Sequence, residues 1–244
     1  MNIYGSTDKG KLRHSNQDAF SFGKFDDGTV WAVVCDGMGG ANGGNVASRM
    51  AVDNLSASLK SGYRLNMSEM SYKNLLSSAV NAANVRVFDK AREDAGLAGM
   101  GTTVVAVLIS DNTAYIAHAG DSRAYLFSNG QLTQLTRDHS IVQRMVEEGR
   151  ISWEEARVHP RKNVITRALG VEESVEVEFT VSDLPYGASL LICTDGLTNY
   201  VTPEELVNIL SLQDRENVAL NLIEAANSNG GGDNITAVVI DTIH

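Results

Sequence analysis

The sequence predicts an α+β chain built on antiparallel strands, and three observations carry that prediction. Residues 102–135 read as four short strands with turns and no helix between them: Thr102–Ile109, Thr113–Ala119, Ala124–Phe127 and Gln131–Leu135. Asp111-Asn112 and Asn129-Gly130 supply the turns, the second a strong hairpin signal. That is a meander, unlike the strand–helix–strand succession of a parallel sheet. Second, Val30–Cys35 is apolar without alternation, the mark of a strand buried on both faces. Third, Leu76, Val80, Ala83 and Val87 recur at helical spacing within residues 71–93, giving one apolar stripe that packs on a sheet.

Taken in order, Asn2–Ser6 is a short first strand and Ala19–Phe25 a second. Asp26-Asp27-Gly28 turns the chain into the buried strand Val30–Cys35. That strand ends in Asp36, and five glycines follow within eight residues. A helix runs from about Gly43 to Leu59, and a second spans 71–93. After the meander, residues 141–170 change character. They are charged, with two short helices around Gly149, a capping box at Ser152-Trp153-Glu154-Glu155 and a basic stretch from Arg157 to Arg167. Strands resume at Val175–Val181 and Ser189–Cys193. Thr202-Pro203-Glu204-Glu205 opens a helix with a capping box and proline at its first position, and 215–228 is another helix. Ile235–Ile240 is the last strand. No linker or fixed-period repeat divides the 244 residues, so one domain is expected.

The totals narrow the function. Net charge is −10, from 30 acidic and 20 basic residues, which argues against nucleic acid as a partner. Cys35 and Cys193 both lie in apolar runs and read as buried small hydrophobes. The polar N-terminus has no signal-peptide core, and no apolar run reaches membrane-spanning length. A soluble, cytoplasmic monomer is expected.

Four carboxylates share one structural address. Asp36 and Asp195 each end a buried strand and precede glycine; Asp121 follows a strand and Gly120; Asp233 follows three glycines and precedes the last strand. One such residue is an ordinary turn aspartate, but four together indicate a site. Converging carboxylates repel unless cations neutralise them. An all-oxygen set suits Mg²⁺ or Mn²⁺ and not zinc. The glycine loop after Asp36 fits neither phosphate motif: it holds no lysine for a Walker pattern, and Asn42 stands where a dinucleotide fingerprint needs glycine. A nucleotide-binding α/β module is therefore the weaker alternative.

Arg13-x-x-Asn16-Gln17-Asp18, Asp36-Gly37-Met38-Gly39-Gly40, Gly101-Thr102-Thr103, Gly120-Asp121-Ser122-Arg123, Thr194-Asp195-Gly196-Leu197 and Gly232-Asp233-Asn234-Ile235-Thr236 stand in one order along the chain. In that order they resemble the bacterial PP2C-type (PPM) metal-dependent serine/threonine protein phosphatases, from end to end. The resemblance implies two stacked antiparallel β-sheets flanked by helices on both outer faces, and hydrolysis of phosphoserine and phosphothreonine in proteins. It implies that Asp36 bridges two Mn²⁺ or Mg²⁺ ions, with the Gly37 carbonyl on one of them and Asp195 and Asp233 completing the second. Asp121 with Asp195 would hold a third ion. Asp18 and Asn234 would act one layer behind, and Arg13 would bind phosphate oxygens through its guanidinium fork. Residues 141–170 match the flap of bacterial relatives, and the substrates implied are proteins phosphorylated by a serine/threonine kinase. With two metals granted, a bridging water becomes a hydroxide near neutral pH and attacks phosphorus in line, with no covalent intermediate.

Two positions depart from relatives. Met38 stands where some carry a histidine given the general-acid role, and Ala41 where many bacterial members carry a histidine that engages substrate. A catalytically inactive phosphoprotein-binding relative is the other alternative; retention of all four strand-end aspartates argues against it. Among the histidines, His118 is expected in the core, His139 at the entry to 141–170, and His159, before Pro160, in a structural role. His14 is expected on a surface loop or reaching substrate beside Arg13. The basic residues Arg157, Arg161, Lys162 and Arg167 are expected to form a solvated face that stabilises the 141–170 segment, with contact to phosphoprotein substrate as the alternative.

Overall fold

The computed structural model describes residues 1–242, apart from the side chains of residues 41 and 42, so the expectation at Ala41 lies outside the described residues. In chain order the strands are β1 (Asn2–Asp8), β2 (Asp18–Lys24), β3 (Val30–Met38), β4 (Gly101–Thr102), β5 (Val104–Ser110), β6 (Thr113–Ala119), β7 (Arg123–Ser128), β8 (Gln131–Gln134), β9 (Glu178–Asp183), β10 (Ser189–Cys193) and β11 (Ile235–Asp241). The helices are α1 (Gly40–Gly62), α2 (Glu69–Glu93), α3 (Ile141–Glu147), α4 (Trp153–Val158), α5 (Asp195–Thr198), α6 (Pro203–Leu210) and α7 (Val218–Ser228). One sheet has the order β1-β11-β10-β7-β8; the other runs β2-β3-β5-β6-β9, with β4 added beside β3. Every pairing is antiparallel.

The side-chain period of two sorts the strands into three apolar layers. Val30, Ala32 and Val34 of β3 point inward with Val105 and Val107 and meet Leu190, Ile192, Val238 and Ile240 of the facing sheet. The alternate residues, Trp31, Val33 and Cys35, point outward under Leu55 and Leu59 of α1 and Leu76, Val80 and Val87 of α2. On the far side, Leu191, Cys193 and Val239 pack beneath Leu206, Leu210, Leu222 and Ile223 of α6 and α7. The predicted layers are all present. The continuously apolar strands are those with a layer on each face.

The turns behave as their residues dictate. Asp111 and Asn112 have φ of 49° and 62°, and Asn129 and Gly130 have 52° and 74°, the left-handed pair that a two-residue hairpin needs. Several boundaries shift. α1 begins at Gly40 rather than about Gly43, α7 at Val218 rather than 215, and the strand expected from Val175 starts at Glu178. The last shift follows from pairing: His118 opposite Glu178 is the final rung between β6 and β9. β3 runs on past Cys35 to Met38, because Gly37 and Met38 pair with β4.

Residues 141–170 lie outside both sheets. The capping boxes at Ser152/Glu155 and Thr202/Glu205 both form. Arg137 is ion-paired with Glu147 at the start of the excursion. His139 ties its two ends: its N–H donates to the Gly120 carbonyl, and its own carbonyl accepts from the Thr166 N–H.

Candidate active site

The register of the strands gathers the carboxylates. Asp18 and Asp36 are directly opposed across β2 and β3. Thr194 lies just beyond the end of β10, and Asp195 follows it as the first residue of α5. Asp233 lies two residues before β11, and Asp121 between β6 and β7. All these ends lie at one edge of the sandwich. Arg13, Asp36, Gly37, Asp121, Asp195, Asp233 and Asn234 line one pocket of about 180 Å³. Met38 and Thr103 complete its wall, together with Asn163 and Ile165 from the 141–170 excursion. These last two escaped the sequence reading, since nothing in a lone Asn or Ile marks a pocket.

Asp18 sits beneath that pocket, 6% exposed. Its Oδ2 accepts from the Thr194 hydroxyl at 2.9 Å and the Thr236 hydroxyl at 2.7 Å. Asp18 belongs to one sheet, Thr236 to the other and Thr194 follows that sheet's β10, so this carboxylate pins the two sheets together where the site is built. Thr194 and Thr236 were present in the motifs but carried no predicted role. The same is true of Thr102 and Thr103. The Thr102 hydroxyl donates to the Asp36 carbonyl at 2.8 Å, and the Asp36 N–H donates to Thr103 Oγ1 at 2.9 Å. These bonds fix the Asp36 backbone. Asn234 is a similar pin: its amide donates to the carbonyls of Lys9 and Ser15, and its oxygen accepts from the Gln17 N–H. It thereby holds the loop carrying Arg13 and Asp18 against β11.

Close approach explains the glycines at two places. A Cβ at Gly37 would lie 2.0 Å from the Gly44 carbonyl oxygen, and one at Gly196 would lie 1.9 Å from that of Asn234. Side chains at either position would force a loop of the carboxylate pocket away from its neighbour.

The electrostatics are unfavourable for bare carboxylates. Burial, with the charges of Asp18, Asp195, Asp121 and Asp233 around it, pushes Asp36 well above the usual range. Burial and then Asp195 and Asp138 do the same for Asp121, against the pull of Arg123. Asp195 is raised by burial and by Asp233. Asp18 is raised to about 7, mainly by burial and against its two hydroxyl donors. Among the described residues the one cation on the pocket wall is Arg13, whose Nη2 donates to Asp233 Oδ2 at 2.9 Å while its side chain stays half exposed. The expected phosphate-binding fork therefore keeps donors toward solvent and spends one on a carboxylate. Asp18 Oδ1 and Asp195 Oδ1 are buried with no hydrogen-bond partner. Hard oxygen donors in excess, with unsatisfied lone pairs, suit divalent ions such as Mn²⁺ or Mg²⁺.

His118, His139 and Glu178 form a second cluster, with ligand atoms within 4.8 Å of one another. Most of its ligand atoms already have hydrogen-bond partners, although His118 Nδ1 is buried without one. The Gly120 N–H donates to His139 Nδ1, and His139 Nε2 lies 3.1 Å from Glu178 Oε2 and 2.9 Å from Arg167 Nη1. His118 Nε2 lies 2.9 Å from the Arg137 carbonyl. The two rings stack 4.7 Å apart at 5°, so their lone pairs lie side by side and do not converge. This cluster anchors the 141–170 excursion, in keeping with the positions expected for His118 and His139. His159 Nδ1 accepts from the Arg161 N–H, a local structural role. The basic stretch does not form one solvated face: Arg167 bonds Glu176, whereas Arg157 and Lys162 line a groove.

Comparison with known proteins agrees with this geometry. A family model described as Protein phosphatase 2C matches residues 11–217. The chain is 41% identical over 239 residues to the serine/threonine phosphatase stp of Listeria monocytogenes, covering 96% of this chain and 93% of that protein. Its fold is similar to that of the serine/threonine phosphatase of S. agalactiae, with a TM-score of 0.91 and 32% identity over 98% of both chains. It is also similar, with a TM-score of 0.86 and 34% identity over 100% of this chain and 98% of the other, to the catalytic domain of the phosphatase PstP in complex with two manganese ions. No described helix is long and apolar enough to cross a membrane. The chain belongs to the protein phosphatase 2C family and is a serine/threonine phosphatase.

Proposed function

We propose that the chain removes phosphate from phosphoserine and phosphothreonine in proteins by metal-dependent attack of water on phosphorus, without a covalent enzyme intermediate. The observation that carries this reading is a pocket of four aspartates over a fifth, with two buried carboxylate oxygens unpartnered and Arg13 the one cation on its wall. Asp36, the Gly37 carbonyl, Asp195 and Asp233 would hold two Mn²⁺ or Mg²⁺ ions, and Asp121 with Asp195 a third. When bound, such ions supply a nucleophile from water near neutral pH and neutralise charge on the phosphoryl oxygens.

The chain's own residues do the positioning. Arg13 turns its solvent-facing N–H groups to the phosphate and steadies Asp233 with the other. Asp18 uses Oδ2 on two threonines, leaving Oδ1 to orient a water. Asn234 keeps the Arg13 loop in register with Asp233. Residues 141–170 act as a flap over the site through Asn163 and Ile165. Every residue invoked comes from one chain, so a monomer suffices. The substrates are phosphoproteins made by a serine/threonine kinase.

The test is turnover of an aryl phosphate and of a phosphothreonine peptide with Mn²⁺, with Mg²⁺ and after exhaustive chelation. Activity is expected only with metal, and no phosphate should stay on acid-quenched enzyme. Full activity in the chelated protein would sink the reading.

A further inference from the structure

The carboxylate pocket opens sideways into a groove of about 340 Å³ that shares Asp121 and Asp195 as a common wall. One bank is the 141–170 excursion, the other the start of α6. Val142, Trp153, Leu132, Val201 and Leu206 give the groove an apolar floor and sides. Trp153 is 56% exposed, an unusual state for the largest side chain, and the Ser152 capping box fixes it at the first turn of α4. Arg157 and Lys162 also line the groove, and neither makes a salt bridge to a described carboxylate. Two such cations facing an apolar groove stand out in a chain of net charge −10.

The opposite flank differs. There a second groove, of about 290 Å³, shares Met38 and Ile165 with the carboxylate pocket and carries Glu172 and Glu176. Both grooves are continuous with the central pocket and can take the polypeptide on either side of a phosphate bound there. The flank beside Trp153 carries Arg157 and Lys162 without salt bridges to described residues, with Asp138 paired to Arg123; on the other flank Glu176 is paired to Arg167 and Glu172 is left with no salt bridge among the described residues.

We propose that the groove beside Trp153 binds the segment of the phosphoprotein next to the phosphorylated residue, taking a large apolar side chain against Trp153 and an acidic neighbour at Arg157 and Lys162. The proposal rests on the catalytic reading of the carboxylate pocket. Continuity through Asp121 and Asp195 identifies the occupant as substrate, and the unpaired cations set its charge. Removing one well-buried apolar contact costs about 10–200-fold in discrimination.

The experiment uses the whole chain with Mn²⁺ and phosphothreonine peptides in an alanine background. Phe is placed singly at each of three positions on either side of the phosphothreonine, with and without an adjacent Asp. In the wild type one Phe position should raise kcat/KM by about 10-fold or more over alanine. Trp153→Ala should bring that preference to within about 3-fold, Trp153→Phe should keep most of it, and Lys162→Glu should invert the response to Asp. Aryl phosphate kcat/KM should stay unchanged in all three. A flat wild-type profile, or a preference untouched by Trp153→Ala, would overturn the proposal; so would an equal loss on aryl phosphate and peptide. Binding is read separately with a non-hydrolysable phosphonate analogue of the preferred peptide. Trp31 is 2% exposed, so a blue shift of tryptophan emission reports on Trp153. If the wild type fails on aryl phosphate with Mn²⁺, the metal reading falls, and the fluorescence titration alone then decides the groove: a shift sustains it and no shift rejects it.

Discussion

The two ends of the β10–β11 strand pair hold carboxylates of the same kind and treat them in opposite ways. At one end Asp241 accepts from Arg215 Nη2 at 2.6 Å, Arg215 Nε at 2.9 Å and the Ser189 hydroxyl at 2.7 Å. At the other, Asp195 receives one amide, from Asn199 at 2.9 Å, keeps Oδ1 unpaired and has Asp36 and Asp233 for neighbours. Asp138, outside the pocket, has a guanidinium fork from Arg123, with bonds of 2.6 and 2.8 Å. Asp241 and Asp138 each hold a guanidinium, whereas at the pocket edge Asp36, Asp121 and Asp195 have no such ion pair among the described residues and Asp233 has the half-exposed Arg13. On the proposed reading, that difference is what a site for divalent cations requires.

The largest effect should come from neutralising one carboxylate at each end. Asp36→Asn should lower Mn²⁺-dependent aryl phosphate turnover by about 10²–10³-fold or more, the scale of losing one electrostatic stabiliser. It should also raise the unfolding temperature in chelator, since it removes a carboxyl whose ionisation burial and the surrounding aspartates oppose, directly across from Asp18. Asp241→Asn should do the reverse. Turnover per folded molecule stays level, and stability drops by about 2–3 kcal/mol, below the usual cost of a broken buried pair because the Arg215 side chain keeps 23% exposure. Calorimetry with and without metal reads both. Similar behaviour of the two variants would erase the distinction between the ends.

Much of this contrast was legible in the sequence, and the illegible part has a common cause. Strand-end aspartates beside glycine, hairpin dipeptides and capping boxes are local signals, and each was found where the chain places it. The layers followed from unbroken apolar runs. What could not be read was pairing across large separations. Asp18 to Thr194 and Thr236, Asn234 to Lys9, and Asn163 and Ile165 at the pocket wall all depend on register and loop path. Thr102, Thr103, Thr194 and Thr236 look like ordinary strand threonines until the two sheets stack. The division of the basic stretch has the same cause: Arg157 and Arg161 stay exposed while Arg167 meets Glu176 and His139, contacts that depend on the path of the chain before β9.

A smaller effect sharpens the comparison through pH. Asp18 has its carboxyl raised from an ordinary 3.8 to about 7 by burial. A carboxyl raised on folding binds more protons in the native state, so stability falls as pH rises. Its contribution is fully present below the unfolded value and is lost as pH climbs through about 7. In chelator the unfolding temperature should therefore fall between pH 5 and pH 8, by about 2–4 °C for each kcal/mol. Saturating Mn²⁺ should flatten or reverse that slope, because bound cations hold the neighbouring carboxylates ionised. A metal-free protein whose stability rises over this window would show that the acidic edge is neutralised within the chain.

The finest test concerns Met38, which lies in the wall of both the carboxylate pocket and the acidic flank. Expulsion of a serine or threonine alkoxide needs a proton in the transition state, and a placed general acid contributes about 10²–10⁴-fold. A thioether has no proton to give. Met38 therefore leaves this position without an acid, and turnover should depend steeply on the leaving group. Across aryl phosphates of rising leaving-group pKa, log kcat should fall with a marked slope in the wild type, with chemistry shown to be rate-limiting. Met38→His should flatten the slope and help the poorest leaving groups most, at unchanged metal affinity. The side chain abuts Gly101, where an added Cβ would lie 2.9 Å from Met38 Cε, so an imidazole is expected to turn toward the pocket and not into β4. Equal slopes in the two proteins, with metal binding intact, would place the proton donor elsewhere along the pocket wall.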